Sequence, residues 1–169
     1  MSGGWERHVV LVAPRIHWNT GNAGRTCLGT GSRLHLVRPL GFSLDDPHVR
    51  RAGLDYWPQV DLRIWDRFAD LLAAYAPEPG EMALFSKRGA RSFRDLPPLR
   101  RLFLVFGSET EGLPADILAR YPDHTYHIPI SNRIRSLNLS TAVAVALYES
   151  LRATPPAHGW RPAETSSSS

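Results

Sequence analysis

The sequence predicts one α/β domain built on a mostly parallel β-sheet flanked by helices. Three observations carry this: short apolar runs that do not alternate, strand–helix–strand spacing near the N-terminus, and polar glycine- or serine-bearing stretches after the strands. The 169 residues, 43% of them hydrophobic, suffice for one well-packed domain and fall short of two. We expect a flexible N-terminus over residues 1–7, the domain over 8–153 and a flexible tail over 154–169, where Ser166–Ser169 has nothing to pack with.

In chain order, His8–Val12 reads as a buried strand ending at Ala13-Pro14. A turn is expected over His17–Asn22, then a helix from Ala23 to Thr30 closed by Gly31. Arg33–Val37 resumes as a strand and stops before Pro39, completing a unit whose helical crossover makes its strands parallel. Asp66 is placed to cap a helix bearing Phe68, Leu71, Leu72 and Tyr75 on one face. Met82–Phe85 is a short strand, and the apolar Leu102–Phe106 suits the centre of a sheet covered on both faces. Pro114 opens a helix, His124–Ile130 forms the last strand, and Leu139, Ala142, Val143, Ala146, Leu147 and Leu151 mark an amphipathic C-terminal helix.

Composition narrows the function classes. No apolar run approaches the roughly 20 residues of a membrane span. The opening residues lack an apolar core behind a basic start, and the single Cys27 leaves no internal disulfide. A cytoplasmic protein with no membrane partner is expected. The net charge of +4 and pI near 9.7 suit a polyanionic partner. Of the 20 basic residues 19 are arginine, a ratio that codon bias alone can produce, so position counts for more than number. The stretch from Lys87 to Arg101 carries six positive charges against one negative; phosphate binding and a solvated face explain it equally well.

Several common sites are missing. The only lysine, Lys87, is not in a phosphate-binding loop, and Gly29-Thr30-Gly31 ends a helix instead of following a strand, against a dinucleotide-binding oxidoreductase. The seven histidines lack metal-ligand spacing, and Gly107-Ser108-Glu109 lacks the second glycine of a nucleophile elbow.

Three polar segments remain, each after a predicted strand, at the edge where open α/β sheets bind ligands: Asn19-Thr20-Gly21-Asn22-Ala23-Gly24-Arg25, Phe106 to Pro114, and Ile128-Pro129-Ile130 with Arg135-Ser136-Leu137-Asn138-Leu139-Ser140. Singly, each has a structural explanation, glycine for a turn or Asn138 and Ser140 as helix caps. Together, in this order, they resemble the three motifs of the SPOUT class of TrmH-like RNA 2′-O-methyltransferases, over about His8 to Arg152. The Asn-Thr-Gly-Asn form of the first motif and the segment Arg50-Arg51-Ala52-Gly53-Leu54-Asp55-Tyr56 are similar to the TrmL-type subgroup, which methylates the wobble cytidine or uridine of the tRNA anticodon loop. Ser108 and Trp18 depart from the resemblance, standing where proline is frequent in that subgroup.

The resemblance implies a C-terminal trefoil knot, a homodimer, S-adenosyl-L-methionine as methyl donor and no metal. It implies donor contacts at Leu84, Gly107, Ile128 and Ser136, while two basic stretches, Arg50-Arg51 and the run from Lys87 and Arg88 to Arg101, are available to grip RNA phosphates. It makes Arg25 the catalytic residue, with Asn19, Glu109 and Asn138 fixing its geometry and Glu109 placed to pair with it; a plain turn role for Glu109 is the other reading. A guanidinium with pKa above about 12 stays protonated. Arg25 therefore either stabilises a developing alkoxide or, less simply, accepts the ribose proton itself. Val143, Leu147 and Leu151 of the last helix face either a second copy or the chain's own core. Methylation of another tRNA position or of rRNA, and a catalytically silent RNA-binding module, are the alternatives.

Overall fold

The computed structural model describes residues 4–45 and 55–153 and is organised on a seven-stranded sheet. Its strands are β1 (Glu6–Val12), β2 (Arg33–Val37), β3 (Leu62–Trp65), β4 (Met82–Phe85), β5 (Arg91–Ser92), β6 (Arg101–Phe106) and β7 (Thr125–His127). They stand in the order β3-β2-β1-β6-β4-β7-β5 and every neighbouring pair is parallel. All C-terminal strand ends therefore open on one edge. The helices are α1 (His17–Thr30), α2 (Phe68–Tyr75), α3 (Ala115–Arg120) and α4 (Leu139–Ser150).

The unbroken apolar runs are explained by burial on both faces. Val9, Leu11, Leu34, Leu36, Leu102 and Leu104 face α1 and α4 with Ala23, Cys27, Val143 and Leu147. The intervening Val10, Val12, Val37, Phe103 and Val105 face α2 and α3 with Leu71 and Ile117. β6 is the fourth of seven strands, the central position its composition predicted. Val143 and Leu147 are fully buried in the chain's own core, so they are not the dimer face considered above. Burial also pushes the Cys27 thiol up to about 12, which leaves it inert.

Other boundaries differ from the sequence reading for local reasons. β1 begins at Glu6 because Arg7 is buried: its guanidinium donates to Ser150 Oγ at 3.0 Å, Ser150 O at 2.8 Å and Leu99 O at 3.0 Å, tying the strand to the end of α4. Burial lowers that guanidinium to about 10. Residues 6 and 7 thus lie inside the sheet instead of a flexible terminus. α1 begins at His17, so the expected turn is its first two helical turns. β3 and β5 were not foreseen, one an edge strand of partly exposed residues and the other two residues long. β7 ends at His127, before Pro129, which has no N–H to donate to a ladder. Asp66 pairs with Arg38 at 3.4 Å, while Asp70 accepts the Arg67 N–H at the start of α2. Pro114 is the residue before α3, not its first. Arg50, Arg51 and the tail 154–169 lie outside the described residues. Among those described, no helix is long and apolar enough to cross a membrane.

β7 enters the sheet between β4 and β5, which precede it in sequence. The link 86–90 joining those two strands crosses β7 closely: a Cβ at Gly89 would stand 2.2 Å from the Tyr126 carbonyl carbon. Ser86 N donates to Tyr126 O at 3.0 Å, and His127 Nδ1 donates to Gly89 O at 2.8 Å.

At the opposite edge a buried polar chain crosses the first strands. The Trp65 indole can only donate, so His35 Nδ1 accepts its N–H at 3.0 Å. His35 Nε2 then donates to His8 Nδ1 at 2.8 Å, and His8 Nε2 to Glu6 at 2.6 Å. Both rings are fully buried, and His8 stacks on Phe103 at 4.2 Å. Burial pushes His35 from 6.5 down to about 3 and also lowers His8, outweighing the pull of Glu6. The unfolded chain therefore binds protons first, and stability is complete above the ordinary histidine value and is lost as pH falls toward the folded one. Between those values the unfolding free energy is expected to drop with a slope approaching about 1.4 kcal/mol per pH unit for one such histidine. Denaturant titrations across that range check this, and His35→Gln should flatten the slope.

Candidate functional site

The site assembles at the C-terminal strand edge around a carboxylate. α1 has no cap of its own, since Ile16 at its N-cap offers no side-chain acceptor. Glu109, on the loop after β6, supplies one from 93 or more residues away. Its Oε2 accepts the Arg15 N–H at 2.8 Å, and Oε1 accepts the Ile16 N–H at 3.0 Å and the Asn19 Nδ2 at 3.2 Å. A carboxylate here satisfies orphan donors and meets the positive end of the helix dipole.

The contact to Glu109 sets the orientation of the Asn19 amide, so its oxygen faces Asn138, whose Nδ2 donates to it at 2.9 Å. Asn138 Oδ1 in turn caps α4, accepting the N–H groups of Ser140 at 3.0 Å and Thr141 at 3.4 Å and the Ser140 hydroxyl at 2.6 Å. One polar chain, Glu109–Asn19–Asn138, thus joins the three segments singled out in the sequence. Its middle member Asn19 is 1% exposed, so both of that amide's contacts matter, while Asn138 at the outer end is exposed.

The second loop turns back sharply. Gly112 adopts φ +69°, its N–H donates to Ser108 O at 3.0 Å, and the Glu111 N–H reaches Ser108 Oγ at 3.1 Å. Ser108 thus makes a turn contact that proline has no hydroxyl to offer. A Cβ on Gly107 would lie 1.9 Å from the Gly112 carbonyl carbon, so glycine here is required by the loop's own fold.

Arg25 is not part of this chain. It lies six residues beyond Asn19 on α1 and is exposed, with its guanidinium 5.5 Å from the centre of the Tyr56 ring. The expected Glu109–Arg25 pair does not form, because Glu109 is committed to the start of α1. Tyr56, whose hydroxyl donates to Gly21 O at 3.4 Å, is the neighbour that orients Arg25. Burial pushes its phenol up while Arg25 pulls it down. Tyr56 sits in the Arg50–Tyr56 segment already singled out in the sequence, but only the fold shows that it meets Arg25.

The remaining positions spread along the same edge. Leu84 is fully buried in the core, main chain included, while Ile128 is half-buried and Ser136 exposed. Lys87 and Arg88 are exposed on the link over β7. Between Pro129 and Leu137 no main-chain group bonds to another main-chain group among the described residues, and Ile130 and Ile134 are 37% and 50% exposed. The Arg133 N–H is held by Ser131 Oγ at 3.4 Å, and the other amide and carbonyl groups, beside apolar side chains, suit a ligand with both an apolar face and polar edges.

Comparison with known proteins gives concordant results. The SpoU rRNA Methylase family matches residues 6–148. A tRNA (cytidine(34)-2′-O)-methyltransferase of Burkholderia ambifaria is 49% identical over 149 residues, 86% of this chain and 94% of that protein. A solved structure described as giving insight into the 2-OH methylation of C/U34 on tRNA is 48% identical, with a TM-score of 0.80, covering 88% of this chain and 95% of that one. An AdoMet-bound rRNA methyltransferase from Sinorhizobium meliloti is 24% identical with a TM-score of 0.77, over 87% of this chain and 56% of that one; this likeness bears on the fold alone.

Glu109→Ala removes three hydrogen bonds, two of them to the start of α1, and is expected to destabilise the fold by about 1–3 kcal/mol. Glu109→Gln keeps one acceptor and should fall between that variant and the wild type. Thermal unfolding of the three proteins checks the ranking.

Proposed function

The chain belongs to the SpoU rRNA Methylase family, and on that premise we propose that it methylates the 2′-hydroxyl of the wobble cytidine or uridine in the tRNA anticodon loop. The observation that carries this reading is the 49% identity, over 94% of its length, with an enzyme named for that reaction. The family fold implies a knotted C-terminal region, and the insertion of β7 between β4 and β5 is consistent with it.

S-adenosyl-L-methionine supplies, when bound, a methyl group activated on a sulfonium. The residues present fit such a donor. Main-chain groups of 129–137 other than the Arg133 N–H would hold its polar edges, and Ile128 and Ile130 would line its apolar face, with Ser136 at the rim and the buried Leu84 and Gly107 closing the floor. No titratable cluster is needed for this binding.

The chain's own chemistry concerns the ribose. Its hydroxyl is a weak nucleophile, and a fixed cation beside the oxygen stabilises negative charge as the proton leaves. Arg25 has that role; it is exposed at the site and makes no ion pair among the described residues. A guanidinium stays protonated, so it acts as a donor to the oxygen and not as the base, and the hydroxyl proton passes to solvent water at this exposed position. Glu109, Asn19 and Asn138 are positioning residues: they hold the start of α1 against the second and third loops. The exposed Lys87 and Arg88, with Arg50 and Arg51, meet RNA phosphates. In a homodimer, the outer side of α4 with Val145 and Tyr148, 37% and 61% exposed, is the apolar surface available for the second copy.

Incubation with labelled donor and separate tRNA and rRNA pools, followed by nucleoside mapping, tests the reading. Label on the wobble ribose is expected, with Arg25→Ala lowering turnover by orders of magnitude while the donor still raises the melting temperature. Label confined to rRNA or to another tRNA position overturns it. Light scattering at micromolar concentration is expected to give a dimer for the wild type and a monomer for Val145→Glu/Tyr148→Glu.

A further inference from the structure

We propose that the segment Ile130–Arg135 is a tRNA-gripping strip in which Arg133 and Arg135 hold backbone phosphates and Ile134 covers an unstacked base. This rests on the RNA-methylating reading above and adds to it a role for the side chains of Arg133, Ile134 and Arg135, in a segment whose main chain that reading gives to the donor.

The anchors of the segment fix where it runs. It leaves β7 at His127, bonded to Gly89 O on the link that carries Lys87 and Arg88. It ends at Asn138, bonded to Asn19 on the helix that carries Arg25. Residues 130–135 therefore bridge the basic link and the ribose-activating arginine, along the same strand edge.

Their chemistry suits a polyanion. Arg33, Arg38, Arg63, Arg67, Arg101 and Arg152 each lie within 3.4 Å of a carboxylate. Arg133 and Arg135 are exposed and form no ion pair among the described residues. The sequence supplies them with none nearby, since it contains no Asp or Glu from His124 through Tyr148. Between them Ile134 is 50% exposed, an apolar side chain kept in water by the loop. Two unpaired guanidiniums flanking an exposed apolar group match a single-stranded RNA, whose phosphates are regularly spaced and whose splayed bases seek an apolar cover.

Fluorescence anisotropy with a labelled anticodon stem-loop at several salt concentrations tests this on the full chain. Arg133→Gln/Arg135→Gln is expected to weaken binding about tenfold or more near physiological salt and to reduce the salt slope by about 1.4, two single-strand phosphates at about 0.7 each. Ile134→Ser should weaken binding with the slope unchanged. Donor-induced stabilisation of the Arg133→Gln single variant and the dimer mass should match the wild type. Equal RNA affinity and slope in variant and wild type overturn the proposal, as does loss of the dimer, which would make this strip a protein interface. A wild type that ignores the stem-loop but binds other RNA overturns the wobble reading instead, and the variant comparison made on that RNA then decides the strip.

Discussion

Everything at the functional edge depends on a helix that cannot start by itself. Ile16 offers no cap, and α1 opens on residues of poor helical propensity, among them Asn19, Thr20 and Gly21. The Glu109 carboxylate, brought from the far side of β6, accepts the orphan N–H groups and settles the Asn19 amide. Forming the helix start and closing the second loop are therefore one event. Asn138 extends it to the start of α4, so the third loop is held at its C-terminal end by the same chain of hydrogen bonds.

This explains why small and polar residues fill α1. Its buried side contains Gly21, Ala23 and Gly24, and Trp57 packs so closely that a Cβ on Gly24 would stand 2.6 Å from its ring. That side of the helix lies tight on Trp57, leaving the opposite side to carry Trp18, Asn22 and Arg25 into solvent. Positioning and chemistry are thus separated. The Glu109–Asn19–Asn138 network, buried at Asn19, holds the frame, and the Arg25 guanidinium stands outside it, where it need not be desolvated.

The opposite sheet edge shows the complementary arrangement. His8 and His35 are buried with every ring nitrogen bonded, an ordered chain from the Trp65 indole to the partly exposed Glu6. Burial disfavours the charged form of each ring, so acid acts on the scaffold across β1, β2 and β3. Arg7, buried against the end of α4, adds a second clamp at that edge.

The sequence by itself determined the class of fold, the central place of Leu102–Phe106, the Gly31 helix cap and the three polar segments, because local pattern, apolar period and turn chemistry are written in neighbouring residues. It also singled out Asn19, Glu109 and Asn138 as partners, through a resemblance and not through any spacing. Tertiary structure alone decided what those partners touch. Glu109 meets α1 and not Arg25, Arg25 meets Tyr56, and Val143 and Leu147 face the core, since each contact joins residues far apart in the chain. The start of α1, the edge strand β3 and the two-residue β5 were illegible for the same reason. Their stability comes from a carboxylate 93 residues away or from a neighbouring strand's ladder, and no local pattern records a hydrogen-bond partner supplied by the fold.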